Sequence, residues 1–154
     1  MKVLFVCLGN ICRSPTAEGV FRRMLEQAGM AEAVQIDSCG VSEWHIGKAP
    51  DARAQQAALR RGIDLSGLRA RQLSEQDFHD FDYVLGMDQD NLRAMRDLKP
   101  ANSQAHVGLL LDFAGTPGAE VPDPYYGGDE GFENVLNMIE AASAGLIRHL
   151  KRER

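Results

Sequence analysis

The chain has no surplus of positive charge and little cysteine: 17 Lys and Arg stand against 22 Asp and Glu, and three of its 154 residues are Cys. The net charge of −5 argues against general nucleic-acid binding, and it means that a captured anion must be held by local geometry and not by the global field. Three cysteines, an odd number, fit free thiols and a reducing cytoplasm better than a disulfide framework. No apolar stretch approaches membrane-spanning length, and the run after Lys2 is interrupted at Gly9 and Asn10. Neither a secretory signal nor a membrane anchor is therefore expected. His45, His79, His106 and His149 lie scattered, without metal-ligand spacing, and there is no Walker-type loop or dinucleotide fingerprint. No metal and no cofactor is expected. Repeats, linkers and low-complexity segments are lacking too, so residues 1–154 read as a single domain with one sizeable core.

What is present alternates between two periods. Val3 to Val6 is a short apolar run that reads as a strand buried on both faces. After Pro15, Ala17, Val20, Phe21, Met24, Leu25 and Ala28 form a helical stripe that ends at Gly29. Val34–Cys39 predicts a second strand. A helix follows Pro50-Asp51, Ser74 predicts the cap of a short helix through Phe81, and Tyr83–Leu85 predicts a third strand. Asp88 opens a helix that Pro100 ends, Val107–Leu111 predicts the fourth strand, and Phe132 to Leu150 carries a long C-terminal helix. Strands alternating with helices imply an α/β domain with right-handed crossovers. The expected architecture is a flavodoxin-like, doubly wound, four-stranded parallel sheet in the order 2-1-3-4, with helices on both faces. Ligands of such sheets bind outside the carboxyl ends of the strands, where the strand order reverses.

One stretch lies at such an end. After the first strand the chain runs Cys7-Leu8-Gly9-Asn10-Ile11-Cys12-Arg13-Ser14-Pro15. Ser14-Pro15 is a helix-start signal, since Ser can cap and Pro tolerates the first turn, where its missing N–H has no partner. Backbone N–H groups of such a loop, the positive end of the following helix and a guanidinium that grips two oxygens together suit a dianion. Leu8 to Ser14 are therefore the candidate phosphate-binding residues. The same groups favour the thiolate of Cys7, to which the Ser14 hydroxyl can donate a further hydrogen bond. Gly9 and Asn10 are the residue types that tolerate a left-handed backbone.

The nine-residue string Cys-Leu-Gly-Asn-Ile-Cys-Arg-Ser-Pro, directly after a first strand, resembles the phosphate loop of the low-molecular-weight protein tyrosine phosphatases. The resemblance implies hydrolysis of phosphotyrosine proteins or small aryl phosphates through a cysteinyl-phosphate, with inorganic phosphate as product. It implies Cys7 as nucleophile and Arg13 as the clamp on the equatorial oxygens. In the irregular stretch Asp112–Gly128, Val121-Pro122-Asp123-Pro124-Tyr125-Tyr126 resembles the family's general-acid loop. The flanking prolines restrict the backbone around Asp123, which would protonate the leaving oxygen and then activate water. By the same resemblance Cys12 could close a reversible disulfide with Cys7; the plain alternative is a small residue packed beneath the loop. Cys39, at a strand end, reads as core.

Trp44, the only Trp, falls in a loop expected to rise near the phosphate site. With Tyr125 and Tyr126 it is the candidate wall for a phenyl ring. Leu68 stands where many relatives carry a His that braces the loop and pairs with a glutamate corresponding to Glu18, so Glu18 is expected to lose a partner. Two related activities are disfavoured. An arsenate reductase passes a disulfide along further cysteines, and none follows Cys39; a protein-arginine phosphatase carries Thr where Ile11 stands. A non-catalytic phosphotyrosine-binding module would not need Cys7, Arg13, Ser14 and Asp123 together. A monomer without nucleic-acid or membrane partners is the default.

Overall fold

Alternation along one strand sets the layering. β1 (Lys2–Cys7) sends Val3, Phe5 and Cys7 to one face of the sheet and Leu4 and Val6 to the other, and all five are buried. A strand covered on both sides reads as an unbroken apolar run, and Val3 to Cys7 is one, with only Lys2 exposed at the strand's start. β2 (Gln35–Gly40), β3 (Tyr83–Gly86) and β4 (His106–Leu109) complete an all-parallel sheet in the order β2-β1-β3-β4. Helices α1 (Arg13–Gln27), α2 (Ala52–Leu59) and α5 (Asp129–Arg152) pack on the Val3 and Phe5 face, where Phe5 meets Phe21 edge-on at 5.5 Å. Helices α3 (Asp77–Asp80) and α4 (Gln89–Leu98) cover Leu4 and Val6. The computed structural model describes residues 1–125 and 128–153. No helix among them is long and apolar enough to cross a membrane.

The sheet order and the two-sided helical cover agree with the sequence expectation, while three local expectations need correction. Ser14 is not a cap: α1 begins at Arg13 and its cap position, Cys12, makes no side-chain hydrogen bond. The Ser14 hydroxyl is drawn instead to buried partners described below. Ser74 does not cap α3; the Asp77 carboxylate accepts from the Ser74 N–H at 2.9 Å, and α3 is a single turn. The fourth strand ends at Leu109, because Leu110–Ala114 winds into a 3-10 turn. Asp112 stabilises that turn by accepting the Leu109 N–H at 3.2 Å and the Gly118 N–H at 2.9 Å. The stretch before Asp123 is therefore tied down rather than wholly irregular.

Strand order reverses at β1, whose neighbours are β2 on one side and β3 on the other. The chains leaving the carboxyl ends of β1 and β3 diverge there and open a crevice. Residues 8–12 lie in that crevice.

Candidate active site

The loop after β1 is held by its carbonyls. Cys7 O accepts from the Val41 N–H at 2.9 Å, Leu8 O from Ser42 at 2.9 Å and Ile11 O from Asp51 at 2.8 Å. Cys12 O accepts from the Thr16 N–H at 3.2 Å and the Thr16 hydroxyl at 2.6 Å. Every peptide bond here is trans, so each N–H points opposite to the carbonyl before it. The N–H groups of Leu8, Gly9, Cys12 and Arg13 are thus directed away from these anchors, toward the concave side of the loop. Asn10 supplies the turn, with a left-handed φ of 58°, the only positive φ at a non-glycine residue among those described. Gly9, also expected to be left-handed, is not. Its missing side chain matters for another reason: a Cβ there would lie 2.8 Å from Cδ2 of His45, whose ring covers the loop. Gly40 serves similarly from below, since a Cβ on it would meet the loop backbone at Gly9 C, 2.9 Å away.

Cys7 sits at the floor of this loop and is almost wholly buried. Its Sγ accepts the Asn10 N–H at 3.3 Å and lies 3.0 Å from Ser14 Oγ. Ser14 Oγ in turn accepts from Asn10 Nδ2 at 2.8 Å and lies 3.2 Å from the Cys39 carbonyl, to which it can donate. The hydroxyl has one hydrogen and two acceptors to choose from. With an ionised sulfur the hydrogen serves Cys7; with a thiol, the S–H donates to Oγ and the hydroxyl turns to Cys39 O. Asn10 Nδ2 also donates to Ser38 Oγ at 3.0 Å, and Ser38 Oγ donates to Glu18 Oε1 at 2.7 Å. The Arg71 N–H fixes Asn10 Oδ1 at 3.0 Å. A buried chain Glu18–Ser38–Asn10–Ser14 thereby ends at the sulfur. Leu68 packs against the core and, as expected, gives Glu18 no hydrogen bond; Ser38 and the Arg22 guanidinium, at 3.1 Å, brace that carboxylate instead. Burial raises the Glu18 pKa, against the opposing hydrogen bond from Ser38 and the charge of Arg22.

Arg13 is 3% exposed. Nη1 donates to Asp88 Oδ2 at 2.6 Å and to the Val121 carbonyl at 3.0 Å, and Nη2 lies 3.7 Å from Asp123 Oδ2. Burial disfavours the guanidinium charge, but Cys7, Asp88 and Asp123 outweigh it and the pKa is raised. Arg13 is thus a fixed cation with one nitrogen committed to the protein. Asp123, half-exposed at the mouth, accepts the Tyr125 N–H at 3.0 Å on its other oxygen.

Leu8, Gly9, Ile11, Cys12 and Arg13 line one open cleft of about 160 Å³ together with Cys7, Trp44, His45, Asp123 and Tyr125. The distant acid loop and the thiol loop therefore share one cleft, and Trp44, 69% exposed, stands in its wall rather than in the core. Asn10 and Ser14 do not line it; their side chains lie behind the loop. Arg53 lies over the Tyr125 ring at 5.5 Å and over Phe132 at 4.9 Å. Tyr126 lies outside the described residues. Cys12 lies near Cys7, and burial, then the charges of Asp51, Cys7 and Asp123, push its pKa up to about 12. Burial likewise holds the Cys39 thiol well above its ordinary value, and all three cysteines are unbridged.

A thiol under a ring of N–H groups, a buried guanidinium beside it and a carboxyl at the mouth form one constellation, and comparison with known proteins gives it a lineage. The family model for low molecular weight phosphotyrosine protein phosphatase matches residues 2–154. This chain belongs to that family. A low molecular weight phosphotyrosine protein phosphatase of Schizosaccharomyces pombe is 50% identical over 153 residues, covering 97% of each chain. The crystal structure of a protein tyrosine phosphatase from Entamoeba histolytica superposes with a TM-score of 0.94 at 38% identity, covering 99% of this chain and 98% of that one. A drosophila arginine phosphatase superposes with a TM-score of 0.92 at 32% identity, covering 98% of each. Ser38, His45 and Asp88, which also meet this loop or its arginine, carry no signal as site residues in the sequence. Asp88 was visible only as a helix start. The same carboxylate caps α4 through Oδ1, which accepts the Asn91 N–H at 2.8 Å, and holds Arg13 through Oδ2. A partner 75 residues away leaves no local signal.

Proposed function

We propose that the chain hydrolyses phosphotyrosine and related aryl phosphate monoesters by double displacement on Cys7. The observation that carries this reading is the placement of Cys7, Arg13 and Asp123 around one cleft with loop N–H groups directed into it. The phosphate dianion lies against those N–H groups and Arg13, and the transition state, with charge spread over the equatorial oxygens, is held more strongly than the ground state. The Cys7 sulfur attacks phosphorus in line. The S–P bond forms as the aryl O–P bond breaks, and Asp123 gives its proton to the departing oxygen, which as a free phenolate would be a poor leaving group. Water then attacks the cysteinyl-phosphate, Asp123 takes its proton, and the sulfur departs as a thiolate stabilised by the Ser14 hydroxyl and the Asn10 N–H.

Aryl specificity follows from depth and walls. Trp44 and Tyr125 offer aromatic faces above a nucleophile at the cleft floor, which a short phosphoserine reaches poorly. Ile11 faces the cleft and adds apolar surface against a phenyl ring rather than a polar contact to a guanidine. Because the fold is shared with an arginine phosphatase, these side chains, and not the fold, carry the choice. A nucleophilic thiol requires a reducing compartment, so the proposed place of action is the cytoplasm, and a monomer suffices because one chain supplies Cys7, Arg13 and Asp123 to the cleft.

The test is turnover of a phosphotyrosyl peptide, with phosphoseryl and phosphoarginyl peptides as competitors, by the wild type and by Cys7→Ser. Preferential phosphotyrosine hydrolysis that vanishes in Cys7→Ser, with phosphate binding retained, is expected. Preference for phosphoarginine would overturn the substrate assignment, and undiminished turnover by Cys7→Ser would overturn the nucleophile.

A further inference from the structure

The acid loop is fastened to the rest of the protein just before Asp123, and one of the fasteners is a side chain with no part in the chemistry. The Val121 N–H donates to Met87 O at 2.8 Å, and Val121 O accepts from Arg13 Nη1 at 3.0 Å. One residue earlier, Glu120 Oε2 accepts the Gln89 N–H at 2.7 Å. Gln89 is the first residue of α4, so this N–H has no acceptor within its own helix, and the Glu120 carboxylate lies at the positive end of the helix. Met87, Asp88 and Gln89 therefore form one short junction that holds both ends of the reaction. Asp88 orients Arg13, which grips the phosphoryl group. Met87 and Gln89 orient residues 120 and 121, and Asp123 must meet the leaving oxygen at a fixed distance from that group.

The approach to this junction is tied only to its own turn, by the Gly118 N–H on Asp112 Oδ1 at 2.9 Å and the Ala119 N–H on Thr116 O at 3.0 Å, so its fastening to the α4 end falls to residues 120 and 121. Gly115 and Gly118 both take left-handed conformations, with φ of 81° and 82°, and Pro122 has no N–H to donate. Beyond Asp123 the carboxylate is oriented by the neighbouring Tyr125 N–H, a contact internal to the loop.

We propose that Glu120 is a positioning residue for general-acid catalysis: its hydrogen bond to the Gln89 N–H holds the Asp123 carboxyl in register with the phosphoryl group on Arg13. The inference rests on the reading of Asp123 as general acid and goes beyond it by assigning the setting of that acid to a side chain three residues upstream. Glu120 is exposed, so the bond is screened by water and its loss has a moderate effect, of the size of a lost helix cap.

Leaving-group dependence separates positioning from general support. The experiment measures kcat/KM of the full chain for phosphotyrosine, whose leaving oxygen needs a proton, and for 2,4-dinitrophenyl phosphate, whose leaving oxygen does not. Wild type, Glu120→Ala, Glu120→Gln and Asp123→Asn are compared, with inhibition by inorganic phosphate as the measure of an intact thiol loop. For Glu120→Ala, kcat/KM on phosphotyrosine is expected to fall about three- to tenfold. The activated ester and phosphate inhibition should be unchanged, and Glu120→Gln, which keeps an acceptor oxygen, should recover much of the loss. Equal losses on both esters, or no loss on either, would overturn the role of Glu120. If Asp123→Asn itself lost no more on phosphotyrosine than on the activated ester, the general-acid reading would fall. If Asp123→Asn showed the split and Glu120→Ala did not, only the present inference would fall.

Discussion

Arg13 illustrates how much one buried side chain is asked to do. It is a cation in the interior, and it is tolerable there because Asp88, the Val121 carbonyl and Asp123 surround it. Glu18 poses the opposite problem: burial pushes its pKa up, so the fold favours its protonated form. Between the ordinary carboxylate value and the raised one, the folded chain binds more protons than the unfolded chain. Stability contributed at this site therefore falls as pH rises through that window and stays low above it. Gln at position 18 is neutral at every pH and can still accept from Ser38. The stability of Glu18→Gln relative to wild type is expected to improve from acid to neutral pH and then level off, read as urea midpoints. A difference that does not vary with pH would show that burial of this carboxylate carries no such cost.

At the scale of elements, the thiol loop depends on how closely β2 lets it approach. A Cβ at Gly40 would meet three backbone atoms of residues 8–10, within 3.0 Å, and backbone cannot rotate aside as a side chain can. Gly40→Ala is expected to displace the loop by a fraction of an ångström. Misplacement of that order lowers kcat/KM by roughly ten- to a hundredfold, while the sheet, built elsewhere, keeps its thermal transition close to wild type. A full-activity Gly40→Ala protein would contradict this. The elements themselves were largely legible in the sequence, because β1 and α1 announce themselves by apolar period. The end of β4 was not legible: Leu109, Leu110 and Leu111 are all buried, so composition does not mark where a strand gives way to a 3-10 turn. Asp112 marks it, through hydrogen bonds that only the folded turn creates. Ser74 was misplaced as a cap for a related reason: Asp77 does accept its N–H, but α3 opens only at Asp77, with Gln76 at the cap position, so Ser74 lies outside it.

For the whole molecule, the doubly wound sheet places a loop from residues 7–13 and a loop from residues 120–125 at one crevice, and a net charge of −5 leaves anion binding to that local geometry. The candidate nucleophile and clamp were legible because a short string carries both, and the candidate acid only in their company, since an Asp between prolines alone reads equally as a loop cap. The supports were not, because Ser38, Asp88 and Glu120 act on partners 20 to 75 residues away, and single polar residues carry no record of such distances. In the proposed double displacement the phosphoryl group passes through the Cys7 sulfur. Rapid-quench mixing of reduced protein with excess aryl phosphate, followed by peptide mass spectrometry, tests it most directly. A burst of phenol stoichiometric with protein, and a phosphoryl group on the peptide carrying Cys7, is the expected result. Steady turnover without a burst and with no phosphoryl group on Cys7 would contradict it.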